Sequence, residues 1–239
     1  MEKAVLFDVH EGIAIITLNR PDRRNSINRD LLSGLYDSID EVSQNDKISA
    51  AIITGNGKSF CSGIDLSVIG KENLFDIRGN GIDLPDVFST CRKPIIGAVN
   101  GHAITGGFEI ALNCDFLIAS ENAKFADTHA KVGIHPGWGM TQLLQQAVGK
   151  RMALQMSTTC QFIDAGQALK YGLVNEVVLH EDLMERTFEI AKQICENRSD
   201  MVLTVMELIK YRDTASMDQS LAHERERFKS FVKTHMHQA

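Results

Sequence analysis

Apolar side chains along the N-terminal part of the chain fall into two rhythms. AVLFDV (4–9) and GIAIITL (12–18) are short runs rich in β-branched residues, with His10-Glu11-Gly12 between them, which predicts two strands and a turn. From Asn28 onward Leu31, Leu32, Leu35, Ile39 and Val42 recur on one helical face and predict an amphipathic helix. ISAAIIT (48–54) reads as the next strand and ends at the turn GNG. Two strands, a helix and a further strand point to repeated β-β-α units rather than a simple alternation of single strands and helices.

Residues 66–90 carry the weakest pattern. Glycines at 70, 79 and 81 amid mixed polarity predict a mobile loop of the kind that forms lids, followed by a short helix near Asp83–Ser89. PIIGAV (94–99) is a strand, and GAVNGHAITGGFEIALN (97–113) continues it through a glycine-rich turn into a helix over 106–113. FLIAS (116–120) and AKFAD (123–127) read as short strands, and a helix starts near Thr141. Asp164 with Gln167, Asp182 with Glu185 and Ser216 with Gln219 each have the spacing of a capping box. The expected organisation is a mixed α/β body over 1–180 and a helical region over 181–239. That region carries Leu221, Phe228, Phe231 and Val232 on its last helix, and docking would bury them.

Composition narrows the class. The chain has 239 residues, 44% of them apolar, enough for one large domain or two small ones. No apolar run is long enough to span a membrane, and the N-terminus lacks the pattern of a signal peptide, so a cytoplasmic protein is expected. A formal charge of −6 argues against a nucleic-acid partner, although Arg20, Arg23 and Arg24 could meet a few phosphates. Cys61, Cys91, Cys114, Cys160 and Cys195 show neither redox nor zinc-ligand spacing, and no metal site is expected.

GNGKS (55–59) ends like a phosphate-binding loop, but Ile52 stands where that pattern needs glycine. The turn at 101–107 is not GxGxxG either. More informative is a pair of turns, FCSGIDL (60–66) and HAITGGFE (102–109), each placed after a strand. The first amides of a helix have no backbone acceptor and lie at the positive end of its dipole. One amide from each turn, aimed at one point, makes an oxyanion hole, in which a single well-placed donor stabilises the transition state by roughly 3–4 kcal/mol. Each turn taken alone is equally a structural bend. Glu109, among Phe108, Ile110, Ala111 and Leu112, is a carboxylate held partly out of water.

NRPDRRNSI, SFCSGIDL, KPIIGAVNGHAITGGFEIALNCD, FAD and PGWGMTQ, in that order, resemble the crotonase superfamily, whose namesake is enoyl-CoA hydratase. The resemblance implies a superhelix of β-β-α units with a C-terminal helical region that assembles homotrimers, often paired into hexamers. It implies an acyl-CoA substrate, a place in fatty-acid metabolism, and no cofactor beyond the CoA that the substrate carries. Carried over position by position, the oxyanion amides fall on Ile64 and Gly106, and a catalytic carboxylate falls on Glu109. CoA contacts fall on Arg23, Arg24, Lys58 and backbone groups near Ser62, Ile64 and Leu66. Asp65, beside the first turn, is expected to brace it through backbone amides. His102, His135 and Trp138 are expected to shape the acyl end of the pocket.

Two features depart from the family pattern. Where hydratases place a second glutamate, FADTHAKVG places His129. An ionised Glu109 beside a protonated His129 is then the expected pair, dividing base and acid roles. The chain also ends early, at THMHQA, which predicts a more open CoA cleft. The leading expectation is a lyase adding water to a 2-enoyl-CoA. Isomerisation, thioester hydrolysis, cleavage of a β-dicarbonyl C–C bond and non-catalytic acyl-CoA binding remain as alternatives.

Overall fold

The computed structural model describes residues 3–235. Strands β1 (Val5–His10) and β2 (Ile13–Leu18) form an antiparallel hairpin. Helix α1 (Arg29–Gln44) follows, and the Leu31 amide donates to the Asn28 side chain at 3.0 Å to cap it. Three further pairs of strands repeat the plan. β3 (Ala50–Gly55) and β4 (Ser59–Cys61) lead to α2 (Leu84–Thr90), and β5 (Ile95–Val99) and β6 (His102–Ile104) lead to α3 (Gly106–Asn113). β7 (Phe116–Ser120) and β8 (Lys124–Ala126) lead to α4 (His129–Val132), α5 (Met140–Val148) and α6 (Lys150–Thr159). β9 (Ile163–Asp164), α7 (Ala165–Lys170), β10 (Glu176–Val178) and α8 (Leu183–Cys195) complete this part.

From the second pair onward, the first strand of each pair enters a six-stranded sheet and the second enters a smaller one. The orders are β1-β2-β3-β5-β7-β10 and β4-β6-β8-β9. Apart from the hairpin, all pairings in the large sheet are parallel, and both its faces are covered. Along β3 the alternation is direct. Ala51 and Ile53 join the main core with Ile16, Leu32 and Leu35, whereas Ala50 and Ile52 join Ile13, Ile96, Ile118, Leu183 and Ala191. Burying each large aliphatic of α1 contributes about 1.5–3 kcal/mol relative to leaving it in water.

Leu183 and Ala191 belong to α8, which lies on the second face of the sheet. The boundary expected after residue 180 therefore moves to between Cys195 and Glu196. The helical patterning of 183–195 resembles that of a tail, but its apolar stripe completes the body. The second compact unit, from Glu196 on, contains α9 (Ser199–Tyr211) and α10 (Met217–His235). His223 packs in a stack on Tyr211 and bonds Glu207 at 2.7 Å, tying the two helices together. The reciprocal Ser216–Gln219 bonds sit just ahead of α10, as their spacing predicts.

Residues 66–90 are more firmly held than their pattern suggests. Leu74 and Ile77 are buried, Arg29 donates through its amide to Glu72 and through its guanidinium to the Ile77 carbonyl, and Arg78 pairs with Asp37 and Asp40 of α1. These ties join residues far apart in the chain, so periodicity does not reveal them. Among the described residues no helix is long and apolar enough to cross a membrane. The expectations about a targeting segment and an early stop reach residues 1–2 and 236–239, outside the described residues.

Candidate active site

The two glycine turns meet. After β4 the chain bends at Gly63, which has φ 89°. Ile27 donates to the Gly63 carbonyl at 2.8 Å, and Asp65 donates to the Ile27 carbonyl at 2.9 Å, so Ile64 is framed on both sides. Among the described residues the Ile64 amide itself has no protein acceptor. The second bend follows β6, where Thr105 has φ 52° and ψ −116° and Gly106 opens α3. A Cβ added to Gly63 would lie 2.8 Å from the Ile104 carbonyl oxygen and 3.4 Å from the Gly106 nitrogen. At Gly107 it would lie 2.1 Å from the Cys61 carbonyl oxygen, so a residue without a side chain is what lets α3 approach β4 this closely. The Gly106 amide, first in its helix, has no helical acceptor.

Asp65 braces the first bend, as expected. It accepts from the Ser67 amide and hydroxyl and pairs with Arg20 at 3.1 Å. The Ser67 hydroxyl, with Arg20 assisting, holds the carboxyl down at about 2.

Glu109 lies one turn into α3 and is only 2% exposed. Its Oε1 accepts from the Trp138 amide at 2.9 Å and the Met140 amide at 3.2 Å. Its Oε2 faces His129 Nε2 at 3.7 Å, an ion-pair distance longer than a hydrogen bond. His129, 5% exposed, is anchored from the other side: Asp127 Oδ1 lies 2.7 Å from its Nδ1 and 3.1 Å from its backbone nitrogen. Burial pushes the Asp127 carboxyl up, but hydrogen bonds from the side chains of His129 and Ser157 prevail and hold it below its ordinary value. An ionised carboxylate only accepts, so the proton of a neutral His129 ring sits on Nδ1 and the Nε2 lone pair faces Glu109.

The surroundings of Glu109 act on its carboxyl in opposite directions. Burial pushes the Glu109 carboxyl above its ordinary value, and the Trp138 amide and the His129 ring offset that only in part. Spacing shows that a histidine lies near a glutamate, but not how much water each has lost. Here desolvation outweighs pairing, and Glu109 is a stronger base than an exposed glutamate.

The remaining expected residues divide into two groups. Arg23, Arg24 and Lys58 are exposed, and the Ser62 amide donates to the Arg24 carbonyl at 3.0 Å, joining the basic segment to the first bend. The Ser62 amide is thus engaged within the protein. Leu66 is exposed at the start of a short 3-10 turn. His102, expected at the acyl end of the pocket, is turned to solvent. It is exposed, and partial burial together with Lys124 and Arg24 lowers its pKa, while its ring bonds the Lys58 backbone. It lies close to Lys124, Arg24 and the Lys58 backbone. His135 also turns to solvent, its ring bonded to the Pro136 carbonyl at 2.7 Å. Trp138 alone of these three is buried, and its amide donates to Glu109. It is 1% exposed, its ring lies 5.3 Å from that of Phe75, and its Cζ3 would be 3.4 Å from a Cβ on Gly106. The indole N–H has no partner among the described residues.

Asp127, Thr105, Thr128 and Asn25 escape a reading of the sequence. The one available signal for Asp127 is its place two residues before His129 at the start of a helix. Asn25, wholly buried with φ 54°, donates to the carbonyls of Asn56, Ser59 and Phe60 and so fixes the entry to β4.

Comparison with known proteins identifies relatives over almost the whole chain. The enoyl-CoA hydratase/isomerase family matches residues 8–239. A probable peroxisomal enoyl-CoA hydratase 1 of Arabidopsis thaliana is 40% identical over 216 residues, covering 90% of this chain and 82% of that protein. A short-chain-enoyl-CoA hydratase of Clostridium acetobutylicum is 40% identical over 228 residues, covering 94% and 87%. Among solved structures, an enoyl-CoA hydratase from Bacillus anthracis superposes with a TM-score of 0.88 at 30% identity, covering 97% of this chain and 92% of that one.

Proposed function

The chain belongs to the enoyl-CoA hydratase/isomerase family, and on that premise we propose that it adds water across the conjugated double bond of a 2-enoyl-CoA thioester. The observation that carries the reading is the buried Glu109–His129 pair, 3.7 Å apart, with Glu109 on the helix whose first amide adjoins the Gly63 bend and His129 at the start of α4. The thioester oxygen takes hydrogen bonds from Ile64 N–H and Gly106 N–H, which strengthen as negative charge builds on it. Ionised Glu109 removes a proton from water as its oxygen attacks C3. Its raised pKa favours that transfer. The proton that Glu109 has taken is then delivered to C2 of the enolate, which leaves the carboxylate ionised again, while the Nε2 lone pair of His129, held by Asp127 from behind, accepts a hydrogen bond from the attacking water. The sum is enoyl thioester plus water giving the 3-hydroxyacyl thioester, with no net proton released.

Arg23, Arg24 and Lys58 supply charge for the phosphates of CoA, with Leu66 at the rim of the same cleft. A homotrimer or hexamer is supported by the exposed Val205, Ile209, Met217, Leu221 and Phe228 of α9 and α10. The free thiols support a reducing compartment such as the cytoplasm.

The test is loss of the conjugated-enoyl absorbance of crotonyl-CoA together with a product heavier by one water. A second reading, thioester hydrolysis, is favoured by the Asp127–His129 pair, since an imidazole held in this way can also activate water against the carbonyl carbon. Release of free CoA thiol, without the hydrated product, would select it.

A further inference from the structure

We propose that the hydroxyl pair Thr105–Thr128 is a clasp that aims the Gly106 amide and seats His129 in one geometry, both threonines acting as positioning residues. The inference rests on the hydratase reading for its kinetic arm.

Thr105 adopts φ 52° and ψ −116°, a conformation natural to glycine and disfavoured for a β-branched residue. Its ψ sets the plane of the next peptide, and that plane contains the Gly106 N–H. Any relaxation at Thr105 therefore swings the proposed oxyanion donor directly. The surroundings hold the strained backbone at every polar atom. Thr105 N–H donates to the Ala126 carbonyl at 2.9 Å, its carbonyl accepts from the Glu109 amide at 2.9 Å, and its Oγ1 accepts from the Thr128 amide at 3.3 Å. The two hydroxyl oxygens lie 2.5 Å apart. A Cβ added to Gly63 would stand 3.5 Å from the Thr105 Cβ, so the first bend rests on the same residue.

Thr128 faces the other half of the site. It immediately precedes His129, and its carbonyl accepts from the Val132 amide at 3.0 Å, closing the single turn that carries the imidazole. Residues 105 and 128 come from different β-β-α units, after β6 and β8. The clasp thus joins the donor for the thioester oxygen to the imidazole that faces Glu109.

The test compares kcat and KM for crotonyl-CoA in Thr128→Val, Thr128→Ser, Thr105→Gly and the Thr105→Gly/Thr128→Val double variant. Thr128→Val is expected to lower kcat about 10- to 100-fold with KM within about twofold, because a displaced donor weakens the transition state rather than binding. Thr128→Ser, which keeps the hydroxyl, retains parental kcat. With glycine at 105 the backbone is unstrained and the clasp already absent, so adding Thr128→Val changes kcat by less than about threefold. Parental kcat in Thr128→Val, or an equal loss in both backgrounds, overturns the proposal. A parent without hydratase turnover instead refutes the functional reading. The clasp is then judged on the unliganded protein by its ¹H–¹⁵N spectrum, in which Thr128→Val must move the Gly106 amide signal and Thr128→Ser must leave it in place. An unmoved Gly106 signal overturns the clasp. If Thr128→Val does not fold, Thr128→Ala carries both comparisons.

Discussion

Asp127 Oδ1 accepts two hydrogen bonds from His129, one from ring Nδ1 at 2.7 Å and one from the backbone amide at 3.1 Å. The second bond fixes where the residue starts, and the first fixes which ring nitrogen keeps its proton. Together they direct Nε2 toward Glu109. Replacing Asp127 by Asn keeps the shape but offers the ring either an oxygen or an NH₂ group, so the tautomer is no longer dictated. Asp127→Asn is expected to lower kcat about 10- to 100-fold, as loss of a well-oriented acid or base does. Ring ¹⁵N shifts should report one tautomer in the parent and a mixture in the variant. A single unchanged tautomer would remove Asp127 from this role.

Glu109→Gln keeps an oxygen for the Trp138 and Met140 amides but removes the proposed base. Hydration should fall by about 10²- to 10⁴-fold while acyl-CoA affinity, read by calorimetry, is retained. The same variant has a stability signature. The folded-state pKa of Glu109 is raised, so the parent is most stable relative to Glu109→Gln below the ordinary glutamate pKa. That advantage is lost as pH rises through the raised folded-state value. Melting curves across pH should show the variant gaining on the parent toward neutrality, and a gap that runs the other way would contradict the desolvated carboxylate.

Arg24 and Lys58 are exposed, so their contribution to binding is modest and sensitive to salt. Arg24→Ala and Lys58→Ala should each raise KM for crotonyl-CoA roughly 2- to 10-fold. KM for the pantetheine thioester, which lacks the nucleotide phosphates, should not change. Equal effects on both substrates would place these cations away from the phosphates.

Much of this arrangement is legible along the chain because it rests on local chemistry. The β-β-α order follows from runs at 4–18, 28–42 and 48–54, and the helix over 106–113 follows from glycines set ahead of an apolar stripe. Glu109 stands out as the lone charge in that stripe. What stays hidden depends on long separations. The pinning of 66–90 to α1 joins Arg78 to Asp37 and Asp40, and the helix over 183–195 gives no sign that its stripe faces the second side of the sheet. His102 and His135 are exposed although each lies beside a glycine or proline turn of the site, and side-chain direction at such turns is set by neighbours from other strands. The upward shift of Glu109 is likewise not legible from spacing, because desolvation is a property of the whole surrounding wall.

Gly107→Ala sets a Cβ against the Cys61 carbonyl oxygen, where the space is 2.1 Å. Backbone on one side and a helix on the other leave no flexible group to yield. The variant is expected to lose at least about 1–3 kcal/mol, the usual scale of overpacking, measured by urea denaturation. A parental midpoint would show that α3 can back away from β4.

The contact between Gly107 and Cys61 also bears on how the protein fails when heated. Because α3 is seated directly on the backbone of β4, the notch between the two bends has no hinge of its own and cannot open while that short strand stays paired. Thermal inactivation should therefore coincide with melting of the four-stranded sheet, without an earlier stage in which the protein is folded but idle.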